Sequence, residues 1–170
     1  MKYILSFLLP FILPVSFYTL SYQTCEGSDA SFSSLQGKKI LIVNIATGSA
    51  RKGQLAELQQ LQQQHASDLV VIAFPSNSFG NEPRSNTEIK SFCQNSYGTT
   101  FSIAGKVNVV GENAHSVYKW LSSEQQNGDL DIGVSGDFQK YLVGADGRII
   151  GVFGGASSPL DPKIISAIAQ

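Results

Sequence analysis

The chain has 170 residues, 42% of them hydrophobic and 15% charged, with a net charge of -1 and a pI near 6.1. That much apolar material builds a packed core and excludes a disordered chain, while the lack of basic excess excludes a nucleic-acid partner. Two cysteines, Cys25 and Cys93, permit one disulfide at most and exclude a disulfide framework or a four-cysteine metal site.

The chain opens with Met1-Lys2 and an apolar run from Tyr3 to Val15. This run is shorter than the ~20 residues a spanning helix needs, and Pro10 and Pro14 interrupt it. Residues 1–15 therefore read as a secretory signal, or alternatively as a short membrane anchor. The expected location is periplasmic or extracellular, with any membrane contact confined to this segment. Residues 16–170 read as one domain.

In chain order, Phe17, Tyr18, Leu20 and Tyr22 predict a strand. Glu26-Gly27-Ser28-Asp29 predicts a turn, and Ala30 to Phe32 a return strand. Lys39 to Ala46 (KILIVNIA) and Leu69 to Phe74 (LVVIAF) are nearly continuous apolar runs, as strands covered on both faces require. Leu55, Leu58 and Leu61 recur between them at helical spacing, and the surrounding glutamines read as the solvated side of that helix. A right-handed strand–helix–strand unit follows.

A second helix is expected over Asn86–Gln94, capped by Ser85 or Asn86, with Ile89, Phe92 and Cys93 on one face. A third is expected over Ala114–Ser122, with Val117, Trp120 and Leu121 inward. Tyr141–Val143 and Arg148–Phe153 flank Ala145-Asp146-Gly147 as a hairpin, and Ile164, Ile165 and Ile168 mark a terminal helix. The sum is a mixed sheet flanked by helices, with an N-terminal β-hairpin.

Several segments together resemble the glutathione peroxidase family. Gly37-Lys38-Lys39 and Leu41 to Ala46 resemble its GK-x-x-LIVNVA strand. Phe74 to Gly80 resembles FP-x-NQFG, and Glu82-Pro83 through Phe92-Cys93 resembles EPGSN-x-EIK-x-FC. Gly111 to His115 with Tyr118 to Leu121 resembles GENAHPLYKWL, and Phe138 to Leu142 with Asp146-Gly147 the FxKFLVDRDG hairpin. The resemblance covers nearly everything from Ser16 onward. It implies a thioredoxin-like fold, an activity of thiol-dependent reduction of hydrogen peroxide and organic hydroperoxides, and glutathione or thioredoxin as thiol donor.

The same alignment implies a changed site. Ser49 stands where the family carries its redox cysteine or selenocysteine. Ser78 stands for the glutamine, and Gly136 and Asp137 for the tryptophan and asparagine. Cys93 stands where thioredoxin-dependent relatives carry a resolving cysteine. Peroxide reduction needs a thiolate or selenolate with donors that stabilise it. A hydroxyl ionises far less readily, and a carboxylate at 137 opposes a developing anion. The expected outcome is an oxidative-stress family member with an impaired or inactive site. The other readings are a non-enzymatic binding or scaffold module, and a residual thiol peroxidase using Cys93.

Ser49 as a hydrolase nucleophile would need a base. His65 and His115 are the only histidines, and no motif places either beside it. Its expected role is a helix cap. Arg51 and Lys52 read as solvated charge. Gly151, Gly154 and Gly155 lack dinucleotide-loop context, so no cofactor is expected.

Overall fold

A computed structural model describes residues 14–170, so the expected signal or anchor segment lies outside the described residues up to residue 13. No helix among the described residues is long and apolar enough to cross a membrane.

The central sheet has five strands in the order β5-β4-β3-β6-β7: β3 (Lys39–Ile45), β4 (Leu69–Pro75), β5 (Ser102–Ile103), β6 (Lys140–Val143) and β7 (Ile149–Phe153). β3 runs parallel to β4 and antiparallel to β6. The continuous apolar run of β3 is explained by its two covered faces. Leu41, Val43 and Ile45 join one buried cluster, and Ile40 and Ile42 join the other. On the first face lie α1 (Gln54–Gln64), α2 (Asn86–Tyr97) and α5 (Pro162–Ala169), through Leu55, Leu58, Leu61, Ile89, Ile164 and Ile168. On the second lie α3 (Ser116–Leu121) and the N-terminal hairpin of β1 (Ser21–Gln23) and β2 (Asp29–Ser31), with the short α4 (Glu124–Asn127) tied to α3 where Asn127 Nδ2 donates to Trp120 O.

The hairpin is shorter than its sequence pattern predicts. Phe17–Thr19 and Phe32–Leu35 form 3₁₀ turns instead of strand, because Phe17 and Phe32 must both turn inward onto Trp120 and Tyr22. Val15, at the end of the apolar run, is tied to the domain. Its N–H donates to Gln126 O (2.8 Å), and its carbonyl accepts from Trp120 Nε1 (2.6 Å).

Two further elements differ from expectation. β5 has no apolar run of its own; it is two residues long and forms by pairing Ser102 and Ile103 with Ile72 and Ala73. The glutamine face of α1 is not simply solvated. Gln62 Oε1 accepts from the Val71 N–H (2.7 Å) and Nε2 donates to Leu69 O (3.1 Å), standing in for a neighbouring strand along β4. Gln59, 6% exposed, accepts from the Thr100 N–H (2.7 Å). Gln62 satisfies β4 backbone groups that β5 is too short to reach, and Gln59 holds the chain just before β5. The start of α2 follows expectation: the Glu88 carboxylate accepts from the Ser85 N–H and hydroxyl, which lowers its pKa.

Candidate functional site

Three loops meet at one end of the sheet. The carboxyl ends of the parallel strands β3 and β4 lead into residues 46–53 and 76–85. The antiparallel β6 begins at the same end and is preceded by residues 133–139. Clefts in open α/β sheets form at such an end.

Asn44, the one buried polar residue of β3, fastens the third loop. Its Nδ2 donates to Gly136 O (2.9 Å) and its carbonyl accepts from the Phe138 N–H (2.7 Å). Phe138 is held at φ 65°, a left-handed conformation uncommon for a bulky residue. Asn81 joins all three loops. Its carbonyl accepts from the Gly48 N–H (2.9 Å), and its Nδ2 donates to Asp137 Oδ2 (2.6 Å).

Below this layer, Glu82 is fully buried. Its carboxylate accepts from the Thr47 N–H (2.6 Å) and hydroxyl (2.7 Å) and from the Arg84 N–H (3.2 Å). Arg84 Nη1 donates to the Thr47 hydroxyl (2.7 Å), with its guanidinium 4.6 Å over the Phe92 ring. Asn44, Asn81, Glu82 and Arg84 were not among the expected site residues. Only the polar interruption at Asn44 in an otherwise apolar strand signalled one of them.

The expected site residues are distributed as follows. Ser49 is 4% exposed, and its Oγ accepts from the Arg51 N–H (3.3 Å). It is not the N-cap of α1, which is Gly53. Instead it heads the turns that lead into the helix, where Lys52, Gln54, Leu55 and Ala56 N–H groups each bond three residues back. The local chemistry of a cap survives, one turn early. Ser78 Oγ accepts from the Val109 N–H (3.1 Å) and from Ser76 Oγ (3.0 Å). Gly136 contributes only its carbonyl. Asp137 is 3% exposed, and its Oδ1, like Asn44 Oδ1, has no hydrogen-bond donor. Asn81 thus couples Asp137 to the Ser49 turn, whereas Ser78 faces the segment around Val109.

Cys93 lies inward on α2, fully buried. Burial first, then the nearby Glu82 carboxylate, pushes its thiol pKa up to about 12. His115 caps α3, with Nδ1 accepting from the Val117 N–H (3.3 Å), and burial lowers its pKa. His65 ends α1.

Backbone approach is tight at two glycines. A Cβ on Gly48 would come within 2.6 Å of Asn81 O, and one on Gly155 within 2.1 Å of Asp137 O. Both contacts are with backbone, which cannot swing aside. Gly155→Ala is expected to cost roughly 2 kcal/mol by overpacking the site loop, read from a chemical denaturation midpoint. A stability loss below about 0.5 kcal/mol would contradict this packing.

Residues 17–122 match the sequence profile described as glutathione peroxidase. The chain belongs to the glutathione peroxidase family. It is 37% identical over 163 residues to glutathione peroxidase-like peroxiredoxin 2 of Saccharomyces cerevisiae, covering 93% of this chain and 100% of the relative. It is 32% identical over 161 residues to the glutathione peroxidase homolog BsaA of Bacillus subtilis, covering 92% and 100%. The crystal structure of Trgpx in apo form superposes with a TM-score of 0.68 at 31% identity, covering 92% of this chain and 97% of that one. The fold is thus the thioredoxin-like fold of the family.

Proposed function

We propose that this chain is an exported, catalytically silent member of the glutathione peroxidase family that works by binding and not by peroxide turnover. Active members of the family reduce hydroperoxides with a thiol donor such as glutathione or thioredoxin. Here the position aligned with the redox atom holds the Ser49 hydroxyl, which accepts from the Arg51 N–H. That single observation carries the proposal, because an alcohol has neither the acidity nor the oxidation chemistry of a thiol. Around it, Ser78 is bonded to Ser76 and Val109, Gly136 has no side-chain donor, and Asp137 supplies a carboxyl group.

Cys93 does not substitute for the missing sulfur in this reading. It is fully buried and its thiol is strongly protonated near neutral pH. Purified protein given hydrogen peroxide or a lipid hydroperoxide, with glutathione or thioredoxin and its reductase, is expected to consume reductant at the blank rate. Turnover above blank that survives Cys93→Ser would overturn the proposal. Turnover abolished by that change would establish the Cys93 peroxidase instead.

Export rests on Lys2 followed by the apolar Tyr3–Val15 run. A reporter enzyme active only outside the cytoplasm, fused after Val15, is expected to be active. An inactive fusion that is well expressed would remove the export reading.

A further inference from the structure

We propose that Cys25 and Cys93 form a dithiol that a low-molecular-weight disulfide oxidises to an internal disulfide, entering at Cys25. Both cysteines are free thiols. Cys25 follows β1, its N–H fixed to Ile103 O (2.9 Å), and its side chain packs against the buried cluster that contains Cys93. The next residue, Glu26, forms an ion pair with Lys90 of α2. Lys90 precedes Cys93 by one helical turn, so the pair fastens the Cys25 loop over the helix face that carries Cys93.

A cleft of about 220 Å³ opens beside Cys25, and Lys90 and Gln94, which bracket Cys93 on α2, also line it. The cleft gives a small disulfide a path to the Cys25 sulfur. The two thiols also sense each other electrostatically: Cys25 is among the causes that raise the Cys93 pKa.

Exposure sets the order of events. Cys25 is partly exposed, whereas Cys93 is fully buried. The Cys25 thiolate attacks one sulfur of the disulfide RSSR and expels RS⁻, leaving a mixed disulfide on Cys25. Cys93 releases its proton to solvent, and its thiolate attacks the Cys25 sulfur and expels the second RS⁻. In sum, the protein dithiol loses two electrons and two protons, and RSSR becomes two RSH. Burial raises the pKa of both thiols, so the exchange accelerates as pH rises from 7 to 9. No hydroperoxide takes part, so the inference stands apart from the proposed loss of peroxidase turnover.

The test uses the full chain, reduced and then equilibrated with oxidised glutathione, quenched with an alkylating agent under denaturing conditions, and weighed intact. The wild type is expected to lose two hydrogens and take up no alkylating agent. Cys93→Ser is expected to stop as a glutathione adduct on Cys25, and Cys25→Ser to remain unmodified by glutathione. A reductant-reversible rise in Tm is expected in the wild type alone. A wild-type chain that stops at the Cys25 adduct, or keeps both thiols alkylatable, overturns the pairing. A Cys25→Ser chain that gains an adduct on Cys93 as fast as the wild type gains one on Cys25 overturns the entry at Cys25.

Discussion

Ser49→Cys alone is expected to leave hydroperoxide turnover at least about a hundredfold below that of a family member with an intact site. A sulfur at position 49 would inherit one backbone donor, the Arg51 N–H now bonded to Ser49 Oγ. The other positions give it no help. Ser78 Oγ is engaged by Val109 and Ser76, Gly136 offers a carbonyl already bonded to Asn44, and Asp137 offers acceptors. Loss of one preorganised donor costs on the order of 10²–10³ in rate, so missing donors outweigh a restored nucleophile.

The complementary variant separates these terms. Asp137→Asn in the Ser49→Cys background replaces a carboxyl with an amide that can donate. It is expected to raise turnover about tenfold or more over Ser49→Cys. Stopped-flow consumption of hydrogen peroxide with excess dithiol reads both. Ser49→Cys reaching the rate of an intact relative would show that the surrounding donors are dispensable.

The second large effect is at Lys140. This residue of β6 is fully buried, and its Nζ donates to Gln54 Oε1 (2.7 Å), Phe138 O (2.7 Å) and Ser157 O (2.8 Å). It therefore holds together the start of α1, the loop carrying Asp137, and the loop after β7. Lys140→Met would leave two backbone carbonyls and an amide oxygen without this donor. At roughly 1 kcal/mol or more for each unsatisfied buried group, relieved in part by removing a buried charge, the expected loss is about 2 kcal/mol at pH 7.

Burial lowers the Lys140 pKa to about 8 from its ordinary 10.5. Between those values the unfolded chain binds more protons than the folded one, so this residue adds stability as pH rises from 8 to 10.5. The contribution is lost as pH falls back through 8. Cys93 acts in the opposite sense: with its pKa raised to about 12, the folded chain keeps a proton that the unfolded chain releases above pH 9, and stability falls. Total stability therefore conceals the lysine, but the difference between wild type and Lys140→Met does not, since Cys93 is common to both. That difference is expected to widen from pH 7.5 to pH 9.5 in denaturant titrations. A constant gap would mean that Lys140 titrates normally despite its burial.

Much of the fold was legible because its signals are local. KILIVNIA and LVVIAF carry the two-faced burial of β3 and β4 in their composition. The helical spacing of Leu55, Leu58 and Leu61 and the Ser85–Glu88 pair place α1 and the start of α2. β5 left no comparable trace, since its two residues become strand only by lying beside Ile72 and Ala73. Gln59 and Gln62 were legible as helix residues but not as partners of Thr100 and Val71, because amide groups are used alike in water and against a strand.

By itself the sequence determined the family, the thioredoxin-like topology and the presence of an alcohol at position 49, since each is written in residue order and periodicity. Only the tertiary structure decided what surrounds that alcohol. Asn81 links Asp137 to the Gly48 backbone, Glu82 and Arg84 brace Thr47 from below, and Lys140 secures the loop before β6. Apart from Lys140 and Phe138, these hydrogen-bonded partners lie 33 to 56 positions from one another along the chain, as Gly48–Asn81 and Asn81–Asp137 mark. No periodicity reaches so far; only the pairing of β3 with both β4 and β6 brings their loops to one end of the sheet.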